Sequence, residues 1–334
     1  MAGTLSTRSF MPPFVSLSRR ALLGLGLALG LCAALPAQAE TELRIGYQKS
    51  STLIVLLKAR GTLEKTLSAQ GIRLSWHEFT SGQPLLEALN VGNLDLTADV
   101  ADTVPVFAQA AGAHLAYFAQ EAPSPAAQAI LVRADSPLRG LADLKGKRVA
   151  VTKAAGSHYL LLAALAEAGL KFSDIEPAYL TPADGRAAFE NAKVDAWVTW
   201  EPFLSGAQRQ LPTRTLADGE KLAAYQRYYL TSQRFAKEHP QVLEAVFAEL
   251  VKAGDWLRAN PREAARILAP LWGNLDPAIV EQANARRSYR VRPVQLESLA
   301  EQQKIADAFF AEGLLPKQVD ARDVSIWQPQ TAAR

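Results

Sequence analysis

Stretches that read as strands alternate with apolar residues at helical spacing along the first two thirds of this chain. That alternation limits the fold more than any single motif. Leu43 to Tyr47 reads as a strand, and Leu53 to Ala69 carries Leu53, Leu56, Leu57, Leu63 and Leu67 at helical spacing. Ile72 to Phe79 alternates as a strand should, Pro84 to Asn90 suits a short helix, and Leu94 to Leu96 a short strand. Val104 to Ala111 reads as a helix, with His114 to Phe118 and Ala129 to Val132 extended. A turn-rich stretch, Asp135-Ser-Pro-Leu-Arg-Gly140, then opens a second α/β series. Its strands are expected at 148–152, 177–180 and 194–199, and its helices at 158–168 and 183–191. Tyr228 to Thr231 is again strand-like, and from there the chain reads as helical to about residue 312, broken at Pro240, Pro261, Pro277 and Pro293. Such alternation calls for α/β architecture with mostly parallel sheets covered on both faces.

One α/β unit inserted into another is the layout of a two-lobed, hinge-bending binding protein. The expected division is 1–39 as a signal peptide, 40–134 with 226–334 as a discontinuous first lobe, and 135–225 as the second. The leader carries Arg8, Arg19 and Arg20 with no acid, an apolar run from Ala21 to Leu35, and Ala37-Gln38-Ala39 as an A-x-A cleavage signal. Its apolar run is short for a membrane span, which needs roughly 20 residues. Ser18-Arg19-Arg20 also suits a twin-arginine signal. Cys32 follows Leu31 where a lipoprotein signal has a small residue, so a lipid anchor is rejected. Cleavage after Ala39 places the mature chain outside the cytoplasm.

Removing the leader changes the charge argument. The whole chain has 36 basic and 33 acidic residues, and the leader holds three Arg, so 36 − 3 leaves 33 against 33. No basic footprint for nucleic acid remains. Both methionines (Met1, Met11) and the one cysteine (Cys32) lie in the leader, so residues 40–334 contain no sulfur. A protein made when sulfur is scarce has a reason for this; drift of Met to Leu in a Leu- and Ala-rich genome gives the same pattern. Without Cys there is no disulfide, thiol nucleophile or Cys-bound zinc, and His77, His114, His158 and His239 show no metal-ligand spacing. No G-x-S-x-G, phosphate loop or G-x-G-x-x-G is present. No metal, cofactor or catalytic residue is expected.

Several helix starts follow strands closely: Gly156-Ser157 before His158, Ser81-Gly82-Gln83 before Pro84, Asp102-Thr103 before Val104, and Glu201-Pro202. A helix N-terminus offers unpaired N–H groups and the positive end of the dipole, so it suits an anion. In open α/β sheets such loops gather in one crevice at the strand carboxyl ends. The plainer alternatives stand beside this. Ser157 and Asp102 serve equally as N-caps, His158 as a capping or surface residue, Lys153 as a solvated strand end, and Trp197, Trp200 and Phe203 as core.

Eight segments appear in order: Leu43-Arg-Ile-Gly-Tyr-Gln-Lys49, Glu87-Ala-Leu-Asn-Val-Gly92, Phe107-Ala-Gln-Ala-Ala-Gly112, Asp143-Leu-Lys-Gly-Lys147, Ala168-Gly-Leu-Lys-Phe-Ser-Asp174, Tyr179-Leu-Thr-Pro-Ala-Asp184, Val194-Asp-Ala-Trp197 and Ile326-Trp-Gln-Pro329. Together they resemble the aliphatic sulfonate-binding proteins of bacterial ABC transporters, within the wider sulfonate, taurine and nitrate solute-binding group. The resemblance implies a type II periplasmic-binding-protein fold that closes on an organosulfonate. It implies delivery to an inner-membrane permease for sulfur acquisition, by a monomer without enzymatic activity. Carried over by position, it implies ligand contacts from Gln48, Gly82, Gln83, Asp102, Thr103, Ser157, His158, Tyr159, Trp200 and Glu201.

This chain departs from the family pattern at three of those segments. Ala101 stands where Gly is expected, Ser157-His158-Tyr159 where the family has Ser-His-Asn, and Trp200-Glu201-Pro202 where it has Trp-Asp-Pro. An altered pocket for a larger or aromatic sulfonate is the expectation, with Tyr159 and Phe203 supplying apolar surface. Asp99 and Asp102 would repel an anion if unpaired, so at least one should cap a helix or bond outward. Taurine, nitrate and sulfate esters are alternative ligands, and sensing is an alternative to transport. A pyrimidine-precursor synthase of similar fold is the enzymatic alternative, disfavoured by the leader and the lack of Cys.

Overall fold

A run of short strands needs cover on both faces, and this chain supplies it with helices around two separate β-sheets. The computed structural model describes Gly3 and residues 41–330. The leader, with its expected cleavage site and export signals, lies outside the described residues.

The first part of the chain runs β1 (Thr41–Tyr47), α1 (Thr52–Arg60), α2 (Thr62–Ser68), β2 (Ile72–Glu78) and α3 (Gly82–Asn90). It continues through β3 (Leu96–Thr97), β4 (Val100–Ala101), α4 (Thr103–Ala110) and β5 (Leu115–Glu121). Next come β6 (Gln128–Arg133), β7 (Arg148–Val151), α5 (Gly156–Glu167), β8 (Glu176–Tyr179), α6 (Pro182–Glu190), β9 (Ala196–Trp200), α7 (Phe203–Gln210) and β10 (Thr213–Asp218). The last part holds β11 (Arg227–Ser232), α8 (Gln233–Glu238), α9 (Pro240–Ala259), α10 (Pro261–Leu271), α11 (Pro277–Ala285), β12 (Val291–Arg292), α12 (Ala300–Ala311) and β13 (Ser325–Ile326).

One sheet has the order β12-β5-β11-β3-β1-β2, with β13 on β5 and β4 on β11; the other is β10-β6-β9-β7-β8. Both are mixed, which corrects the expectation of mostly parallel sheets. β1 pairs with β2 and β3 in parallel, and so does β7 with β8 and β9. The strands next to the two crossings between sheets run antiparallel to their neighbours: β11 between β3 and β5, and β6 between β9 and β10. β6 belongs to the five-stranded sheet although it precedes the boundary expected at 134/135. β10 was not expected as a strand at all.

The single helical stretch read from Leu53 to Ala69 is two helices. Gly61 adopts φ 62°, a left-handed conformation that costs glycine little, and it ends α1 and starts α2. Pro240, Pro261 and Pro277 each stand at the first turn of a helix, where the missing N–H costs nothing. α1, α9 and α10 cover one face of the larger sheet with Leu53, Leu56, Leu250, Leu257 and Leu268. In the smaller sheet Ile130, Val132, Val149 and Val198 face α5, and Ala129, Leu131 and Trp197 face the other way. α4 and α12 join the α5 side of that core through Val106, Ala110, Ile305, Ala306 and Phe309. No helix among the described residues is long and apolar enough to cross a membrane.

Candidate functional site

The carboxyl ends of β1, β2, β8 and β9 open onto a cavity of about 330 Å³. Gln48, Lys49 and Ser50 follow β1; Phe79 and Thr80 follow β2; Thr181 and Pro182 follow β8; Trp200 and Phe203 lie at and beyond the end of β9. Both sheets therefore contribute walls. A smaller recess shares Gln48 and Trp200 with it. Ser81, Gly82, Ala101, Val104, Ala155, Gly156, Tyr225 and Arg227 complete the recess.

Two helix starts reach this recess without a side-chain cap. α3 begins at Gly82 after Ser81, and α5 begins at Gly156 after Ala155; neither preceding residue caps its helix. Their first N–H groups have no acceptor inside the helix. Ser157 Oγ is fully buried and has no hydrogen-bond partner. Glycine is required at the start of α5 by space: a Cβ on Gly156 would lie 2.4 Å from the Tyr225 ring and 3.0 Å from Ala101 Cβ. A Cβ on Gly82 would meet Val104 at 2.9 Å.

Arg227 brings the cation. Its Nε donates to Asp99 Oδ2, its Nη1 to Tyr225 Oη at 2.8 Å, and its Nη2 to the Asp99 carbonyl at 3.3 Å. A guanidinium has five N–H donors, so two remain for a ligand. Asp99 also accepts from Arg287 at 2.9 Å, and Arg287 donates to Glu121 at 2.7 Å. Two arginines and two carboxylates thus form one buried, balanced network, with Tyr229 Oη donating to Glu121 at 2.7 Å.

The residues expected at the site divide into two groups. Gln48, Gly82 and Trp200 line the recess, and Ser157 follows Gly156, which does. The other expected positions have different work. Asp102 caps α4: it accepts from Thr103 N at 3.1 Å and from Gln226 N at 2.8 Å. Burial pushes its carboxyl up to about 7, against the pull of those two donors. Thr103 Oγ1 is used on the Ala154 carbonyl at 2.8 Å. Asp99 and Asp102 are thereby both accounted for without facing the recess unpaired. Gln83 bonds Glu87 at 3.2 Å and lines a separate groove with Phe107 and Pro316.

His158 is buried among aromatic rings. Its Nδ1 accepts from Ala154 N at 3.2 Å, and its ring packs against Phe172 and Phe309 with centroids 5.2 and 5.0 Å away. Burial, with Lys153 nearby, pushes its pKa down to about 3, so it stays neutral. Tyr159 points into the same core and lines neither cavity, so of the expected aromatic pair only Phe203 is at the cavity. Glu201 is buried, pairs with Arg286, and accepts from Ser205 N at 3.0 Å and Ser205 Oγ at 2.8 Å. Burial pushes the Glu201 carboxyl up while Arg286 and Ser205 pull against it.

Arg227, Tyr225, Glu78, Phe79 and Thr181 were not foreseen. Arg227 left one signal, a charged residue opening the apolar strand Tyr228-Tyr229-Leu230. Gln128 left none. It stands in register with Trp200, and its amide is fully buried with neither atom bonded. Among the described residues no group of three or more His, Cys, Asp or Glu could hold a metal ion.

Residues 68–264 match the family model described as NMT1/THI5 like. The chain belongs to the NMT1/THI5-like family. A relative from Escherichia coli (strain K12), named for binding aliphatic sulfonates, is 43% identical over 309 residues, 92% of this chain and 95% of its own length. The crystal structure of the periplasmic aliphatic sulphonate binding protein SsuA from Escherichia coli superimposes with a TM-score of 0.78 at 43% identity, covering 86% of this chain and 98% of that one. The alkanesulfonate-binding protein SsuA from Xanthomonas axonopodis pv. citri, bound to MOPS, gives 0.80 at 41% identity, with 86% and 98% covered. The two-sheet α/β architecture is therefore the periplasmic-binding-protein fold of these relatives.

Proposed function

We propose that this protein is an exported solute-binding protein that captures an organosulfonate and delivers it to an ABC permease for sulfur acquisition. One observation carries the reading: two uncapped helix starts, a fully buried Ser157 hydroxyl without a partner and the Arg227 guanidinium meet in or beside a recess between the two sheets. A sulfonate has three oxygens and one negative charge. Helix N–H groups, a hydroxyl and a charged donor meet that demand with hydrogen bonds of about 1.5–3 kcal/mol each. The wider cavity outside the recess, walled by Phe79, Pro182, Trp200 and Phe203, takes the apolar tail.

Each sheet forms the centre of a lobe, and the segments from Ala122 to Ala127 and from Gly219 to Gln226 connect them. The ligand residues in this reading are Gln48, Gly82, Gly156, Ser157, Trp200 and Arg227. The protein binds without chemical change, because the acids around the recess are engaged: Asp99 and Glu201 in ion pairs, Asp102 in a cap. The leader sends it to the periplasm, where it works as a monomer.

A thermal-shift panel of alkyl and aryl sulfonates, taurine, sulfate and nitrate tests the reading. Sulfonates are expected to raise Tm and sulfate and nitrate to leave it unchanged. A shift with nitrate or sulfate and none with any sulfonate would sink the proposal.

A further inference from the structure

Asp102 stands directly behind the head-group recess. Ala101 before it and Val104 beyond it line the recess, as do Tyr225 and Arg227 on either side of its partner Gln226. The two segments are tied twice: Asp102 N donates to the Gln226 carbonyl at 2.9 Å, and Gln226 N donates to Asp102 Oδ2 at 2.8 Å. Asp102 is 2% exposed. Among the described residues its carboxyl is hydrogen-bonded by backbone amides alone, from Thr103 and Gln226. These satisfy the oxygens without cancelling the charge.

The charged groups around Asp102 leave that charge in place. Arg227 on β11 attracts it, but the guanidinium is bonded to Asp99, and with Arg287 and Glu121 that network sums to zero. Glu301 on α12 adds a like charge. From α5 come His158, kept neutral by burial, and Tyr159. Tyr117 on β5, Tyr228 on β11 and Tyr225 just before it face the same carboxyl, and burial holds all four phenols protonated. Lys153, before α5, turns to the Tyr179 ring at 5.8 Å, and Glu87 on α3 lies in the separate groove with Gln83. The region behind the recess thus carries an uncompensated negative charge before a ligand arrives. A sulfonate brings a second one into the same buried surroundings, where like charges repel strongly. A proton on Asp102 removes one of the two. Burial has already pushed that carboxyl up to about 7, so it takes up a proton readily at neutral pH.

We propose that the recess takes its anion together with a proton from solvent, and that the carboxylate of Asp102 holds this proton. The inference rests on the sulfonate reading above and adds a second ligand to it. A proton held more tightly in the complex than in the free protein makes binding favoured at low pH. Affinity is therefore expected to be level below about pH 6 and to fall by up to tenfold per unit above about pH 7. Isothermal titration with butanesulfonate, whose own charge is constant over this range, tests it in phosphate and in Tris, buffers of different ionisation enthalpy. At about pH 7.5 the native protein is expected to take up roughly half a proton or more per ligand. Asp102→Asn is expected to bind without proton uptake and with an affinity that no longer depends on pH. Glu301→Gln, with circular dichroism as the check on folding, is expected to keep the uptake. Binding to the native protein with the same heat in both buffers and a constant Kd overturns the inference alone. So does uptake that survives in Asp102→Asn, or that disappears in Glu301→Gln. If the native protein binds no sulfonate at any pH, the sulfonate reading falls and takes this inference with it.

Discussion

Asp99 lies between two guanidinium groups with no water-exposed surface on any of the three side chains beyond a few per cent. A buried pair of this kind adds little over an apolar core, but breaking it strands a charge. Asp99→Asn leaves Arg227 without a carboxylate partner and Arg287 with Glu121 alone, and is expected to cost about 3–5 kcal/mol in chemical denaturation. Ser157→Ala should behave in the opposite way. Its hydroxyl has no partner, so the ligand-free protein keeps its stability, while loss of a hydrogen bond to a charged head group lowers sulfonate affinity roughly tenfold or more in titration. His158 gives a pH signature. Its pKa falls from 6.5 to about 3 on folding, so its contribution is complete above pH 6.5 and is lost as pH falls through that value. His158→Asn, which keeps an acceptor for Ala154 N, should remove that slope; the native protein alone is expected to lose about 2 kcal/mol on this account by pH 5.

At this scale the sequence was legible only where a residue's partner is local. Gln48 and Trp200 sit at strand ends and Gly82 at a helix start, and such ends are visible in the pattern. Arg227 and Asp99 are 128 residues apart, and nothing local says that they meet. His158 and Tyr159 follow Ser157 directly, yet helical geometry turns them into the core, and only the ring contacts with Phe172 and Phe309 reveal it.

Among the elements, the start of α5 is tightly constrained. Gly156→Ala puts a methyl into the ring of the buried Tyr225, so α5 must shift away from the recess that it helps to build. The expected result is a loss of ligand affinity of roughly tenfold or more, with a correctly folded protein by circular dichroism, since shifts of about 1 Å at a positioning element cost this much. Elements were the most readable scale in the sequence, because period two and period 3.6 survive in any tertiary context. Strand direction was not readable. β11 and β6 carry the same apolar pattern whether they lie parallel or antiparallel, and their antiparallel placement follows from the chain crossing between sheets. β10, with Thr213 and Arg214 half-buried and Thr215 exposed, carries too little apolar signal to stand out.

For the molecule as a whole, the proposed binding between the two sheets couples ligand to stability. At a hundredfold excess over Kd a sulfonate is expected to add about 2.7 kcal/mol, a Tm rise of roughly 4–5 °C for a chain of this size. Differential scanning calorimetry measures it, and a rise that does not scale with ln[ligand] would contradict simple two-state linkage. The two-part α/β layout was legible from the punctuation near residues 135–140 and 216–220. The allegiance of α12 was not, since its sequence position places it with the larger sheet.

Phe309 on α12 touches Phe107 from α4 and His158 from α5, with centroids 4.9 and 5.0 Å away. One aromatic ring is thus shared by two helices, α4 and α5, that both begin beside the recess. Any widening that leaves this joint packed has to swing about it, as a book opens from its spine. Thr80 and Pro182 line the cavity from different sheets, so such a swing would part them.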